Sequence, residues 1–238
     1  MFLMALIPLF DKNPTKKLPV INYIIIMVCF IVFIIQTKLN YHQNELFIIQ
    51  FGMIPSVLIG VSELSSEIRV FPSFFSSISY IFLHGSWLHL LGNMGYLYIF
   101  GDNIEDYLGK SKYILFFLLC GCIAGFSQAI IDINSNIPMI GASGSVFGVL
   151  GAYFILFPRA KIKVLLFFLI PINISSMYLI GGYVFLQFLL LDTNSSNGGV
   201  AYMAHIGGFF CGLIFIKLLK KKFIKNKKLN KGTLPSSR

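Results

Sequence analysis

The chain has 238 residues, of which 56% are hydrophobic and only 12% are charged. A soluble domain normally carries about twice that charged fraction, so the composition excludes an ordinary soluble globular protein. The net charge of +10 would suit a nucleic-acid-binding protein, but the basic residues lie at the ends of apolar runs and in the C-terminal tail. Membrane topology explains this charge better, and we expect no nucleic acid as a partner.

Long apolar runs predict six membrane-spanning helices. The first run, VINYIIIMVCFIVFII, contains no charged residue, as expected of a segment whose solvent is lipid. The six predicted spans cover residues 18–36, 86–104, 112–131, 143–157, 174–191 and 201–219. The fold class predicted is therefore an all-α membrane protein, a six-helix bundle with a long first loop. This membrane domain, residues 18–220, lies between an N-terminal segment, residues 1–17, and a basic tail, residues 221–238.

Two connecting segments are themselves apolar in part. The first loop, about 37–85, contains LFIIQFGMI, and we expect interfacial helices there rather than a further span. The stretch VLLFFLIPI, Val164 to Ile172, is too short to span a membrane and is interrupted by Pro171. Counting it as a span would move the basic tail to the opposite side, so we reject that alternative on the charge pattern.

The basic residues predict the orientation of the bundle. With six spans, seventeen of the nineteen lysines and arginines fall on the side of the N-terminus, and only Lys38 and Arg69 fall on the other. The positive-inside rule then places both termini in the cytoplasm. The compact six-span plan favours a bacterial cytoplasmic membrane, although an organellar or eukaryotic membrane stays open.

Polar side chains within spans are costly, and three clusters of them need a reason. WLHLLGN carries His89 and Asn93, GASGSVFG carries Ser143 and Ser145, and AHIGGFFCG carries His205. His89 and Asn93 are four residues apart and share one helix face. Taken alone, this pair could serve only to hydrogen-bond neighbouring helices together, and the serines could hydrogen-bond to their own helix backbone.

The glycines near these clusters predict close helix packing. They recur at the small-xxx-small spacing in the fourth and the last span, at Gly144 and Gly148 and at Gly208 and Gly212. That spacing lets two helix backbones approach each other. If the two faces pack together, Ser143 and His205 can meet.

A contact between Ser143 and His205 would have a chemical meaning. A serine hydroxyl is a weak nucleophile until a base takes its proton, and a histidine suits that task. Ser143 stands at the start of its predicted span, where free backbone N–H groups could bind an oxyanion, with Gly141 keeping the surroundings open. His89 and Asn93 could add side-chain donors. Because no suitably placed carboxylate completes a triad, the residues predict a Ser–His dyad.

Four segments in this order resemble the rhomboid family of intramembrane serine proteases: IPLFDKNPT, FLHGSWLHLLGNMGYLYIFGDNIED, GASGSVFGVLGAYFILFP and GVAYMAHIGGFFCGLIF. The resemblance covers about residues 7–218. The ordered set H-x-x-x-N, G-x-S-G and A-H-x-x-G is specific, whereas G-x-S-G alone is not. The first loop departs from many relatives, because it reads RVFPSFFSSIS and lacks their Trp-Arg pair.

The resemblance implies a role for each matching residue. Ser143 would be the nucleophile and His205 the general base, and the Ser143 N–H, His89 and Asn93 would form the oxyanion hole. Phe147 aligns with the aromatic residue that packs on the catalytic histidine in relatives. The supporting glycines would be Gly141, Gly144 and Gly208.

The resemblance also implies partners. Substrates of the family are single-span membrane proteins, cut in or near the span where the helix unwinds, and the lipid bilayer is the other partner. Water would reach Ser143 from the non-cytoplasmic side, and the first loop and fifth span would govern substrate access. No metal or organic cofactor is implied, and the oligomeric state stays open.

Two other functions fit parts of the pattern. A catalytically silent rhomboid-like protein would bind membrane clients, but such proteins typically lose the serine or the histidine. A small transporter or channel would tolerate polar residues in its spans, but no repeat and no intramembrane ion pair is visible. Among nearby residues, we expect Ser145 to point to a different helix face from Ser143, His84 to pack in its loop and Trp87 to anchor the interface.

Overall fold

The computed structural model describes residues 6–167, 169–191 and 200–232 of the chain. This part contains nine α-helices, namely α1 (Val20–Lys38), α2 (Tyr41–Phe51), α3 (Pro55–Ile59), α4 (Ser76–Ser79), α5 (Trp87–Leu108), α6 (Lys110–Ile131), α7 (Ser143–Leu156), α8 (Ser176–Leu189) and α9 (Tyr202–Gly232). The six longest, α1 and α5 to α9, correspond to the six predicted spans, and the predicted helical bundle is confirmed. Helix α9 continues beyond its predicted end into the basic tail, of which residues 233–238 lie outside the described part.

Among the described residues, three helices are long and apolar enough to cross a membrane, namely α1, α6 and the Tyr202–Lys221 part of α9. Helix α7 has only 14 residues, which is about 21 Å at 1.5 Å per residue. The hydrocarbon core of a bilayer is thicker, at about 30 Å. Because Gly144 to Tyr153 are all buried, α7 is enclosed by the other helices. Its first turn therefore faces a space surrounded by protein.

A buried carboxylate fixes the start of α1. Glu105, near the end of α5, accepts hydrogen bonds from the backbone N–H groups of Ile21 at 3.1 Å and Asn22 at 2.7 Å. These N–H groups have no partner within their helix, and a carboxylate suits the positive end of the helix dipole. The Asn22 side chain donates to the Leu97 carbonyl and accepts from the Tyr113 hydroxyl. Helices α1, α5 and α6 are thereby joined by satisfied polar groups.

The first loop is built from α2, α3, α4 and two short 3-10 turns, so it contains helices too short to span a membrane, and their interfacial location stays a prediction. Helix α2 begins with a reciprocal cap, in which the side chains of Asn40 and Gln43 each accept from the other residue's backbone N–H. Met53 and Met139 exchange two backbone hydrogen bonds of 3.0 and 2.8 Å. This pairing ties the loop to the segment that leads into α7.

An antiparallel sheet, which the sequence analysis did not predict, lies at one end of the bundle. Its strands are β1 (Leu6–Asp11), β2 (Lys161–Leu166) and β3 (Ile170–Ser175), in the order β1-β2-β3. The apolar stretch 164–172 is therefore mostly β-hairpin and not a span. An open sheet edge has no hydrogen-bond partners in lipid, so we place the sheet outside the hydrocarbon core. It puts the N-terminal segment and the α7–α8 connection on the same side, as the charge pattern predicts.

Asp11, the last residue of β1, anchors the sheet to the bundle. Its carboxylate accepts from the Tyr153 hydroxyl on α7 at 2.6 Å and from the Asn103 side-chain amide on α5 at 3.1 Å. Burial raises the pKa of Asp11, and the hydrogen bond from Tyr153 opposes that shift. The sheet thus holds the far end of α7, opposite its first turn.

Helices α7 and α9 touch backbone to backbone along their glycines. A Cβ placed on Gly208 would lie 2.1 Å from the carbonyl oxygen of Gly144, and one on Gly212 would lie 1.9 Å from that of Gly148. Real side chains do not approach a backbone so closely, so only glycine fits at Gly208 and Gly212. The close packing predicted from the small-xxx-small spacing is confirmed.

This contact predicts an unequal response to added methyl groups. Gly212→Ala should lower the free energy of unfolding by about 1–3 kcal/mol, because the methyl group must push two helix backbones apart. Gly182→Ala on α8 is the matched control, since no atom lies within 4 Å of its added Cβ, and it should be neutral or slightly stabilising. Reversible unfolding in detergent micelles measures both, and equal stability of the two variants would contradict the packing.

Candidate active site

Ser143 and His205 are in hydrogen-bond contact. Ser143 is the first residue of α7 and His205 lies in the first turn of α9. The distance from Ser143 Oγ to His205 Nε2 is 2.8 Å. The Phe147 ring, one turn after Ser143, stacks on the imidazole with centroids 4.4 Å apart and planes at 9°. The glycine-mediated approach of α7 and α9 therefore brings a hydroxyl, an imidazole and a supporting aromatic ring together.

A third polar side chain, from Gln187 on α8, contacts the other ring nitrogen of His205. The distance from Gln187 Oε1 to His205 Nδ1 is 2.7 Å, and Gln187 Nε2 donates to the Tyr183 carbonyl at 3.2 Å. Gln187 is almost fully buried. Sequence reasoning missed this residue, because the search for a third member considered carboxylates. The available signal was a lone amide within the otherwise apolar stretch SMYLIGGYVFLQFL.

A cavity of about 810 Å³ opens beside this contact. Ser143 and His205 line it, together with His89, Asn93 and Gly141. Asn93 is buried, yet its side-chain Nδ2 has no hydrogen-bond partner among the described residues. A buried donor without a partner is costly unless a ligand or water occupies it. All residues predicted for the oxyanion hole therefore face one cavity, and one of them has an unused donor.

The absence of a side chain at Gly141 leaves space for the His89 ring. Its φ of +120° lies in the region that disfavours side chains, and an added Cβ would lie 2.7 Å from His89 Nε2. His89 lies in the first turn of α5, where the Ser86 hydroxyl caps the helix by accepting from the His89 N–H at 3.1 Å. The glycine thus leaves the space that the imidazole occupies at the cavity wall.

The other polar residues singled out from the sequence lie elsewhere. The Ser145 hydroxyl is buried against Gly121 of α6, away from His205. His84 packs on His89 with ring centroids 5.1 Å apart, and burial and His89 lower the pKa of His84 to about 4, so it is neutral at pH 7. Trp87 packs edge-on against Phe33 of α1. These placements agree with the packing roles expected for Ser145 and His84.

The unused donor of Asn93 predicts a residue that contributes little to stability. Asn93→Ala should change the free energy of unfolding by less than about 1 kcal/mol, because no hydrogen bond is lost. Asn22→Ala is the matched control in the same bundle and should cost about 1–3 kcal/mol, because it removes two hydrogen bonds and leaves the buried Tyr113 hydroxyl without its acceptor. Unfolding in detergent compares them, and an equal loss would mean that Asn93 has a structural partner.

Comparisons with known proteins agree with this architecture. The family model described as Rhomboid domain matches residues 72–222, which is more than half of the chain. Rhomboid protease GlpG of Haemophilus influenzae is 34% identical over 140 residues, covering 58% of this chain and 66% of that protein. Rhomboid protein 1, mitochondrial, of Saccharomyces cerevisiae is 32% identical over 151 residues, covering 59% and 40%.

A third relative is Presenilin-associated rhomboid-like protein A, mitochondrial, of Danio rerio, which is 29% identical over 160 residues, covering 65% of this chain and 39% of that protein. The chain spans less than two thirds of the length of these relatives. The family match includes α5 to α8 and α9 as far as residue 222, and hence every residue of the cavity named above. Together with the helices long enough to cross a membrane, it means that this integral membrane protein belongs to the rhomboid family.

Proposed function

We propose that the protein is an intramembrane serine endopeptidase, which cleaves single-span membrane proteins in or near their transmembrane segment through a Ser143–His205 dyad. The observation that carries this proposal is the 2.8 Å contact between Ser143 Oγ and His205 Nε2 at the wall of a cavity. The names of the relatives support it, since the Haemophilus influenzae protein is called a rhomboid protease.

The first chemical step is acylation of the serine. His205 Nε2 takes the proton of the Ser143 hydroxyl as Oγ attacks the scissile carbonyl carbon. A tetrahedral intermediate forms, and its collapse breaks the C–N bond while His205 gives the proton to the leaving amine. Water then repeats the sequence on the acyl-enzyme, with His205 again as the base, and Ser143 is regenerated.

The oxyanion of the intermediate needs donors that are already in place. The Ser143 backbone N–H is one, because the first N–H groups of a helix have no partner within it. The unpartnered Nδ2 of Asn93 and the ring of His89 supply the others from α5. Because α5 and α7 hold these groups before substrate arrives, little reorganisation accompanies the reaction.

The substrate proposal follows from the family resemblance and from the depth of the site. A peptide bond in a helix is closed off by hydrogen bonds, so a substrate must unwind near Ser143 before its carbonyl can be attacked. Helix-breaking residues in the span ease that step. The cavity beside Ser143 has room for a short extended segment and for the water that hydrolyses the acyl-enzyme.

A labelling experiment tests the dyad without a known substrate. The purified protein in mild detergent is treated with a fluorescent fluorophosphonate, which reacts covalently with activated serines. Wild type should be labelled, whereas Ser143→Ala and His205→Ala should each lose at least about 99% of the labelling, since neither half of the dyad acts alone. The matched control Ser145→Ala should label like wild type, because Ser145 faces α6.

Cleavage of a model single-span membrane protein in liposomes extends the test to the reaction. Wild type should release two fragments, and Ser143→Ala none. Full turnover by Ser143→Ala would contradict the proposal. Wild type that is neither labelled nor cleaves, yet still co-purifies with membrane proteins, would favour the catalytically silent client-binding function instead.

A further inference from the structure

Gln187 is a buried polar residue that neither the dyad nor the oxyanion hole uses. We propose that Gln187 is the positioning residue of His205, which selects the tautomer and ring orientation in which Nε2 faces Ser143 without a proton. The inference rests on the proposed function, because it assigns a task within the same site. Its basis is the 2.7 Å contact of Gln187 Oε1 with His205 Nδ1.

The neighbouring backbone sets the direction of the glutamine amide. The Tyr183 carbonyl can only accept a hydrogen bond, so the group 3.2 Å from it must be the amide nitrogen of Gln187. The amide oxygen then faces His205, and an oxygen can only accept. Nδ1 of His205 must therefore carry the proton, and a neutral imidazole has its other nitrogen, Nε2, free as an acceptor.

Stacking on Phe147 does not replace this selection. The nearly parallel rings, at 9°, hold the plane of the imidazole. A half turn about the Cβ–Cγ bond returns the ring to the same plane, so neither this flip nor a move of the proton from Nδ1 to Nε2 disturbs the stacking. Either change would remove the acceptor from Ser143 Oγ. The plane is set from α7 by Phe147, and the tautomer and the facing nitrogen are set from α8 by Gln187.

The same contact assists the charged intermediate. When His205 takes the serine proton, both ring nitrogens become donors, and the hydrogen bond from Nδ1 to the amide oxygen becomes charge-assisted. The amide oxygen is already in place for this change, since Gln187 is buried at about 1% exposure and its amide is held at both ends. The side chain thus orients the base at rest and stabilises its cation during catalysis.

The test compares two substitutions of matched size. Gln187→Met removes the acceptor at similar side-chain length, and Gln187→Glu keeps an oxygen that accepts from Nδ1. The rate constant for fluorophosphonate labelling of Ser143, in the full-length protein in lipid nanodiscs, should fall about 10- to 100-fold in the methionine variant. It should stay within about threefold of wild type in the glutamate variant. The control Leu115→Met, at an exposed position on α6 and outside the fifth span, should label like wild type.

A spectroscopic measurement makes the tautomer visible without any reaction. In ¹⁵N-histidine-labelled protein, the signal that disappears in His205→Ala should report a proton on Nδ1 in wild type and a tautomer mixture in Gln187→Met. A methionine variant that labels at the wild-type rate and keeps the Nδ1–H signal would overturn the inference. If Gln187→Met does not fold, Gln187→Asn serves instead, since its amide is one methylene too short to reach Nδ1.

The two proposals fail in different ways. Wild type that shows the Nδ1–H tautomer, lost in Gln187→Met, but is never labelled would support the positioning role and refute the protease function. Wild type that is labelled at Ser143, with Gln187→Met equally fast, would support the protease and refute the role of Gln187.

Discussion

The site depends on the backbone contact between α7 and α9. Gly208 lies against Gly144 and Gly212 against Gly148, so no side chain separates the two helices along this seam. Ser143 precedes the first of these contacts directly, and His205 lies about one turn before it on α9. Two long polar side chains could have bridged a wider gap, but a serine cannot. The short reach of the hydroxyl therefore requires helix axes as close as glycine permits.

Because α7 is short, the N-terminal end of the α7–α9 contact lies inside the protein. A helix that crossed the whole hydrocarbon core would have its free N–H groups at the membrane surface. Because α7 has 14 residues and is enclosed by α5, α6, α8 and α9, its start lies inside the protein beside a cavity. Irregular backbone at such a depth is tolerated only where protein or water surrounds it. The segment before Ser143 meets that condition through its pairing with the first loop at Met53.

The sequence predicted those parts of the fold in which physical signals are local. Apolar runs predicted the helices, and the spacing of four glycines predicted the α7–α9 contact. The sheet escaped prediction because the edge strand β1 and the central strand β2 are separated by about 150 residues, and each lies in an apolar stretch that could equally be helix or strand. The choice depends on pairing, which only the folded chain provides. The hairpin also explains why 164–172 is apolar without being a span.

Within the candidate site, the residues that the sequence singled out were those whose chemistry is unusual in a membrane span. Histidine and asparagine are costly in a span and therefore stand out. Together with the serine, they form motifs whose order along the chain is specific to one family. Gln187 was harder to identify from the sequence, because a single amide in an apolar helix normally serves to hydrogen-bond to a neighbouring helix. Its direction toward His205 arises from the approach of α8 to α9, which no spacing within α8 encodes. A third member of a site is therefore harder to predict than the first two when it comes from a separate helix.

A neutral third residue suits the location of the site. A carboxylate beside His205 would stabilise the imidazolium more strongly, but burying an ionised group away from water is costly unless it is fully paired. In the proposed resting state the imidazole is neutral, and a carboxylate there would have no cation to pair with. Gln187 avoids this cost, since its amide donates to Tyr183 and accepts from His205 without net charge. In the proposed mechanism, a Ser–His–Gln arrangement keeps every resting group neutral, and charge would separate only when the serine is activated, within reach of donors held by α5 and α7.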